Sequence, residues 1–444
     1  MSLETYTLPE DFIFGAATAS LQIEGGDTNN SWYRWSLKKE HIKDGTNSLR
    51  ACDHWNRVDK DIALMKKLNL NGYRMSLEWS RIEPEEGTYS PTAFEHYREE
   101  LVKLREKGIK PLVTLHHFSN PLWLEDDGGW INPKVIARFE RYAEEVARRL
   151  GDLVSFWATI NEPNVYLHGG YIGGFWPPGR QSVSLFFKGA VNMIGAHIAA
   201  YRTIHAVRTN QGYTDTRVGP VHHLRLFDPL NNRAGERFAC RLLNRFFHRV
   251  FTEGMATGRM LVPFSGRYPF GKGDFQDYFG VNYYTRDMVA FKPFKPSLMF
   301  SQVSVREGAE VNDLGWELYP EGLYRVCHKY YERFGKPVFV TENGTCDAED
   351  AFRTRYIYDH LREISRLLAD GVDIRGYYHW TLMDNFEWSE GESARFGLVE
   401  TDYENQRRTI RQSGKFYAEL SANRGVTKKM IKNYALTQIT DPLH

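Results

Sequence analysis

The sequence predicts an α/β fold, a single (β/α)₈ TIM barrel with enlarged loops on its C-terminal face, as one domain over residues 1–444. Eight short apolar runs alternate with stretches of helical periodicity, which is the pattern of a closed parallel sheet covered by helices. The connections contain no low-complexity linker and no repeat longer than the βα unit, which favours one domain. Barrels with long insertions reach more than about 400 residues, so the length is compatible with this fold.

Boundary residues justify the first βα units. Asp53 is a candidate N-cap for the helix that follows the first strand. Ser90-Pro91 opens the next helix and Gly108 closes it, and Asn132-Pro133 starts the third. The predicted strands cover residues 12–18, 72–77, 111–115, 156–160, 217–221, 278–284, 337–341 and 374–380, and the predicted helices cover about 53–68, 91–107, 133–150, 184–209, 235–252, 320–334 and 351–369.

A glycine-rich segment at residues 169–179 follows the fourth strand. It lacks the Lys and Ser/Thr of a phosphate-binding loop, so we interpret it as an irregular rim segment. Extra length also follows strands one, six and eight, where loops shape the C-terminal face. The loop at residues 291–312 has no readable periodicity.

Composition excludes several classes of function. The net charge is +1, and no basic run is interleaved with aromatic residues, which disfavours nucleic acid as a partner. The N-terminus is acidic and lacks an apolar leader, and we find no run of about 18 apolar residues, which disfavours a membrane protein. The four cysteines are far apart and none forms a CxxC pair, which indicates reduced thiols. Together these features predict a cytoplasmic protein.

Two of the predicted strands end in a glutamate. The apolar run 156–160 is followed by Asn161-Glu162-Pro163, and the run 337–341 by Glu342-Asn343-Gly344. Barrel enzymes place their chemistry at the C-terminal ends of the strands. We therefore expect both carboxylates on that face, and our hypothesis is that they face each other across a sugar.

Cleavage of a glycosidic bond requires this kind of pair. One carboxylic acid protonates the leaving oxygen, and a second carboxylate acts on the opposite side of the anomeric carbon. If the two groups lie roughly 5 to 5.5 Å apart, the second attacks directly and configuration is retained. The attacking group must stay ionised, which a neighbouring cation and hydroxyl favour. Arg74 and Tyr284, both at strand ends, are candidates for that task.

Each of these residues also has a purely structural interpretation. A strand-terminal glutamate is commonly an ion-pair member or a helix cap, and Asn161 and Asn343 are equally turn residues. His116-His117 and His222-His223 lack the spacing of a metal motif, which favours structural or hydrogen-bonding histidines over metal ligands. Trp316, Trp380 and Trp388 can fill core space, but two of them bracket Glu387, which favours a sugar-stacking wall.

These motifs resemble glycoside hydrolase family 1, the retaining β-glucosidase and β-galactosidase family. Thr159-Ile160-Asn161-Glu162-Pro163 resembles the acid/base motif of that family, and Val340-Thr341-Glu342-Asn343-Gly344 resembles its nucleophile motif. The segment 316–323 also resembles the one that precedes the seventh strand there. The resemblance extends from Leu8 to about Phe416.

The resemblance implies Glu162 as acid and base and Glu342 as nucleophile, without metal or cofactor. It implies that small-molecule β-glycosides or short β-linked oligosaccharides are the partners, with terminal β-D-glucosyl units as substrates and β-D-galactosyl or β-D-fucosyl units left open. It places Arg74 and Asn282 as supporting residues. It implies contacts with substrate for Gln22, His117, Asn161, Tyr284, Trp316, Trp380, Glu387 and Trp388.

Two alternatives stay open at this point. Relatives that act on phosphorylated sugars usually replace the Asn-Phe-Glu-Trp stretch, whereas Glu387 is present here and would repel a phosphate dianion. A catalytically silent sugar-binding barrel would be expected to lack one of the two glutamates. The segments His116-His117-Phe118-Ser119-Asn120-Pro121 and Thr345-Cys346 depart from the family pattern, which leaves the rim and the aglycone preference open.

Overall fold

Eight parallel strands close into a barrel in the computed structural model, which describes residues 3–261, 266–295 and 299–436. Each strand pairs with the next one along the chain, and the eighth returns to the first. The predicted fold class is therefore confirmed. The strands are β1 (Ile13–Ala17), β2 (Gly72–Ser76), β3 (Lys110–His116), β4 (Phe156–Asn161), β5 (Arg217–His223), β6 (Phe279–Asn282), β7 (Val338–Asn343) and β8 (Ile374–Trp380).

Nine longer helices surround the barrel. Their bounds are α1 (Val58–Lys67), α2 (Pro91–Glu106), α3 (Val135–Leu150), α4 (Val183–Asn210), α5 (Ala234–Leu243), α6 (Val250–Thr257), α7 (Glu321–Phe334), α8 (Arg353–Ala369) and α9 (Gln412–Asn423) within the described residues. A π-helical segment, Asn244–Arg249, joins α5 to α6. Every residue of β1, β2, β4, β6 and β7 is buried, because side chains fill the barrel on one side and helices cover the other.

Shorter elements build the loops. Helical turns occur at Ser20–Ile23, Ser31–Ser36, His54–Asn56, Trp79–Ile82, Leu122–Asp126, Gly129–Ile131, Pro163–His168, Gly169–Gly173, Trp388–Glu390 and Lys428–Asn433. Strand pairs outside the barrel are Tyr6–Thr7 with Gly425–Val426 and Val399–Asp402 with Arg407–Ile410, and a three-stranded sheet contains Leu226–Pro229, Arg286–Phe291 and Ser301–Ser304. The loop 291–312 thus contains a strand, while its residues 296–298 lie outside the described part.

Some of the local predictions are wrong. Asp53 does not cap α1: its side chain accepts hydrogen bonds from the side chains of Asn56 and Arg57, and α1 begins only at Val58. The glycine-rich segment was expected to be irregular, but it begins with a π-helical turn. By contrast, Ser90 caps α2 as predicted, since its hydroxyl oxygen accepts a hydrogen bond of 3.2 Å from the amide of Ala93.

The long helix α4 bears on the prediction that the chain has no membrane-spanning run. Of the helices in the described residues, α4 has the length and apolar composition that could cross a membrane. However, 61% of its apolar window is buried inside the protein, and α4 packs along α3. This burial is typical of the core helix of a folded barrel. The four cysteines are buried and free, as their spacing predicted.

Candidate active site

Glu162 and Glu342 line one cavity of about 490 Å³ at the C-terminal end of the barrel. Glu342 lies within β7, and Glu162 directly follows β4. Glu162 has a φ of +42°, a left-handed conformation that a residue with a Cβ rarely adopts. It precedes the helical turn Pro163–His168, but its side chain makes no capping hydrogen bond. The helix-cap interpretation of this carboxylate is therefore wrong.

Arg74 and Tyr284 both contact the carboxylate of Glu342. The guanidinium of Arg74 donates to Oε1, and the hydroxyl of Tyr284 donates to Oε2 at 2.6 Å. Arg74 is fully buried in the middle of β2 and not at its end as predicted, and the Glu342 side chain is only 4% exposed. The sequence prediction of a cation and a hydroxyl beside this glutamate agrees with these contacts.

Burial raises the pKa of Glu342 to about 7, and the negative charge of Glu162 adds to this increase. Arg74 and Tyr284 lower the pKa of Glu342 but do not overcome burial. The Arg74 guanidinium lies against Glu342, which favours the ionised form of Glu342.

The carboxylate of Glu162 has a different set of partners. Its Oε1 accepts a hydrogen bond of 2.8 Å from Nδ2 of Asn282 and lies 3.1 Å from Nδ1 of His223. The Oδ1 of Asn282 accepts from the hydroxyl of Thr341 at 2.7 Å, which fixes the orientation of the amide. Oε1 of Glu162 thus contacts an amide and an imidazole, whereas Glu342 is paired with a guanidinium.

Asn161 contacts Arg74, Asn282 and His117. Its Oδ1 accepts from Arg74 at 2.6 Å and from Asn282 at 3.1 Å, so its Nδ2 is the group that lies 3.0 Å from Nε2 of His117. Burial lowers the pKa of His117 well below its usual value, and its ring is therefore neutral. Since Nε2 accepts from Asn161, the ring proton is on Nδ1. That buried nitrogen has no hydrogen-bond partner among the described residues and can donate to a hydroxyl of a sugar.

Glu387 is a further carboxyl group that lines the cavity. Nε2 of Gln22 donates to it at 3.2 Å and also to Asn385 and Phe386. Oε1 of Gln22 is buried and has no partner in the described part of the chain. Burial raises the pKa of Glu387 to about 8, and Glu342 contributes to this rise. Gln22 and Trp380 act in the opposite direction through hydrogen bonds. Gln22 and Glu387 together offer acceptors for more than one sugar hydroxyl.

Three tryptophans predicted as a stacking wall do line the cavity. Trp380 and Trp388 each lie 5.8 Å from His117 between ring centroids, with interplanar angles of 26° and 22°. Trp316 packs edge-on against Tyr284 at 5.8 Å. The fully buried residues of the site contact its glutamates or His117, and they are Asn161, Asn282, Arg74 and Gln22. The structure thus brings all the predicted site residues into one region, although their roles stay predictions.

Sequence reasoning missed much of the outer cavity. Most of these residues belong to loops after strand ends, and a signal was available only for His223, through the His222-His223 pair. The salt bridge between Lys43 and Glu390, at 2.9 Å, joins two rim loops that are far apart in sequence. The other unanticipated lining residues include His168, Phe175, Trp176, Arg225, Phe247 and Asp313.

No group of three or more His, Cys, Asp or Glu side chains within the described ranges is placed to hold a metal ion. Of the histidines considered as ligands, His116 lies 3.0 Å from Oδ1 of Asn120, and His223 lies against Glu162. Both therefore have hydrogen-bonding roles, which was the interpretation that their spacing favoured.

Known proteins share this fold and much of this sequence. The model of glycosyl hydrolase family 1 matches residues 4–426. The beta-galactosidase of Pyrococcus woesei is 32% identical over 95% of this chain and 98% of its own, and beta-glucosidase A of Thermotoga maritima is 32% identical over 94% and 98%.

Solved structures of other proteins have a similar fold. The beta-glycosidase from Pyrococcus horikoshii has a TM-score of 0.90 at 36% identity and covers 98% of this chain and 99% of its own. The beta-glucosidase from Thermotoga maritima in complex with glucoimidazole has a TM-score of 0.87 at 30% identity, covering 95% and 100%. The chain belongs to glycosyl hydrolase family 1 and is a glycoside hydrolase, as the resemblance in its sequence implied.

Proposed function

We propose that the protein is a retaining exo-β-glycosidase that removes terminal non-reducing β-D-glucosyl residues from small β-glycosides. One observation carries the proposal: two buried carboxylates line the same cavity, and only one of them is paired with a guanidinium. This asymmetry is what a double displacement requires, because the ionised group attacks while the protonated group assists departure.

In the first step, Oε2 or Oε1 of Glu342 attacks the anomeric carbon, and the bond to the leaving oxygen breaks. Glu162 gives its proton to that oxygen, so the aglycone leaves as an alcohol and a glycosyl ester forms on Glu342. Tyr284 and Arg74 hold the attacking carboxylate in place. Fixing the nucleophile reduces the entropy lost on reaching the transition state.

In the second step, Glu162 acts as a base. It takes a proton from a water molecule, the water oxygen bonds to the anomeric carbon, and the ester bond to Glu342 breaks. The sugar is released with its original configuration because it has been inverted twice. Glu162 regains its proton, and Glu342 again faces the Arg74 guanidinium as a carboxylate.

The preference for a neutral glucosyl unit is supported by the inner cavity. Gln22, His117 and Glu387 present unused donors and acceptors at its base, as a ring of hydroxyl groups requires. Glu387 places a carboxyl group rather than a cation at this part of the cavity, which disfavours a phosphorylated sugar. Relatives named beta-glucosidase and beta-galactosidase, each 32% identical, support both glucosides and galactosides as substrates.

The decisive experiment follows the anomeric proton of the first-formed sugar by NMR during hydrolysis of an aryl β-glucoside. We expect the β-anomer to appear first and the α-anomer to follow by mutarotation. First appearance of the α-anomer would show an inverting mechanism. A panel of nitrophenyl β-glycosides, including a glucoside phosphorylated on its primary hydroxyl, tests the sugar, and cleavage of the phosphorylated member alone would overturn the neutral-sugar assignment.

Glu387→Ala tests the hydroxyl contacts. Because its pKa is about 8, Glu387 is mostly neutral near pH 7. A hydrogen bond between neutral groups contributes roughly 0.5 to 1.5 kcal/mol, so kcat/KM on a nitrophenyl β-glucoside should fall by about 2- to 13-fold for each bond lost. Glu400→Ala is the matched control, because Glu400 is exposed on an outer strand away from the cavity. Unchanged kinetics in Glu387→Ala would show that Glu387 does not bind the sugar.

A further inference from the structure

His223 is the last residue of β5, and its ring is held on several sides. The ring lies parallel to Tyr284, with 5.8 Å between centroids and 18° between planes, and packs edge-on against Phe247 at 6.2 Å. Its backbone oxygen accepts a hydrogen bond of 2.9 Å from Asn164. The His223 side chain is 12% exposed, so its orientation is determined by these contacts rather than by solvent.

Both donors near Glu162 converge on the same carboxyl oxygen. Nδ2 of Asn282 donates to Oε1, and its identity as the amide nitrogen follows from the bond that Thr341 gives to Oδ1. Nδ1 of His223 lies 3.1 Å from Oε1, within hydrogen-bond distance. If this nitrogen carries the ring proton, both contacts direct N–H groups at Oε1, and the acidic proton of Glu162 then resides on Oε2.

We infer that His223 is a positioning residue that directs the acidic proton of Glu162 onto Oε2, the oxygen that serves the leaving group. This inference rests on the proposed function and deepens it. When Glu162 gives up its proton, the two N–H groups also stabilise the carboxylate that remains. His223 thereby acts on the leaving-group side of the reaction and not on the attack by Glu342.

Other titrating groups surround this pair. Glu342 and Glu387 interact with Glu162, and Tyr284 donates to Glu342 and stacks on the ring of His223. Arg225, His168 and His248 lie on the outer side. A shift in the pH profile would therefore reflect the titration of several groups at once. The dependence of kcat/KM on the leaving group reports on the acid alone, because an aglycone that departs as a stable anion needs no proton.

His223→Phe keeps a planar ring against Tyr284 and Phe247 but removes the donor. We expect kcat/KM to fall on the order of 10-fold for phenyl β-glucoside and less than about 3-fold for dinitrophenyl β-glucoside, since one hydrogen bond to the acid is lost. Comparing the two substrates on one preparation cancels any loss of folded enzyme. His223→Asn is the rescue variant, because its amide nitrogen is bonded to Cγ as Nδ1 is, and it should restore the phenyl substrate.

The outcomes separate the inference from the function on which it rests. Equal losses on the two glucosides in His223→Phe, or failure of His223→Asn to restore phenyl β-glucoside, would overturn the positioning role. Hydrolysis of neither glucoside by the unmodified protein would instead overturn the proposed function.

Discussion

Glu342→Gly is expected to abolish hydrolysis of β-glucosides, with a loss of several orders of magnitude in kcat, while the barrel remains folded. The substitution removes the only group that the proposed mechanism uses to form the glycosyl ester. It also leaves space beside Arg74 and Tyr284, into which azide can enter. Azide should attack the anomeric carbon from that side while Glu162 protonates the leaving group, giving an α-glucosyl azide from an activated aryl glucoside.

Glu349→Gly is the matched control for this variant, because Glu349 is exposed in the loop that follows β7. Thermal unfolding of both variants checks that the fold is kept. Near-normal turnover by Glu342→Gly would refute its assignment as nucleophile. A β-glucosyl azide from the same reaction would show that attack comes from the other face.

Glu162→Ala is expected to reduce activity in proportion to the need for an acid. General acid catalysis contributes about 10²- to 10⁴-fold, so kcat/KM should fall by that factor for phenyl β-glucoside and far less for dinitrophenyl β-glucoside. With the second substrate the ester on Glu342 still forms but hydrolyses slowly, since the base is missing. Azide should then release it from the Glu162 side as a β-glucosyl azide, which is the opposite anomer to the product of Glu342→Gly.

Glu162→Gln is the companion variant. A glutamine can still accept hydrogen bonds from Asn282 and His223 but carries no acidic proton, so it separates loss of the proton from loss of the contacts. If kcat/KM in each variant fell by the same factor on the phenyl and on the dinitrophenyl β-glucoside, Glu162 would not be the acid. The two azide products together test which carboxylate lies on which face of the sugar.

The barrel could be predicted because its signals are local. Each strand is a short apolar run. The helices between the strands begin and end at residues with suitable backbone preferences, such as Ser90-Pro91 and Gly108 around α2. Where the local signal was ambiguous the prediction failed: Asp53 has the side chain of a cap but bonds to Asn56 and Arg57 instead. Side chains that can cap a helix can equally pair with one another.

The site was predictable only in its outline. Glu162 and Glu342 follow apolar runs, so their positions at strand ends could be inferred, although 180 residues separate them. Arg74 and Tyr284 could be named because the mechanism requires a cation and a hydroxyl near the nucleophile. Nothing in the sequence indicated that burial outweighs these two groups and raises the pKa of Glu342, since burial depends on how every loop packs over the cavity.

By itself, the sequence determined which strand ends carry carboxylates and how the strands alternate with helices, because both follow from neighbouring residues. Only the tertiary structure decided how those groups divide the chemistry. Closure of the barrel brings Arg74 from β2 against Glu342 on β7, and it brings His223 from β5 and Asn282 from β6 onto one oxygen of Glu162. Hydrogen bonds and charge interactions act over a few ångströms in space, so the separation of two residues along the chain does not indicate whether they interact.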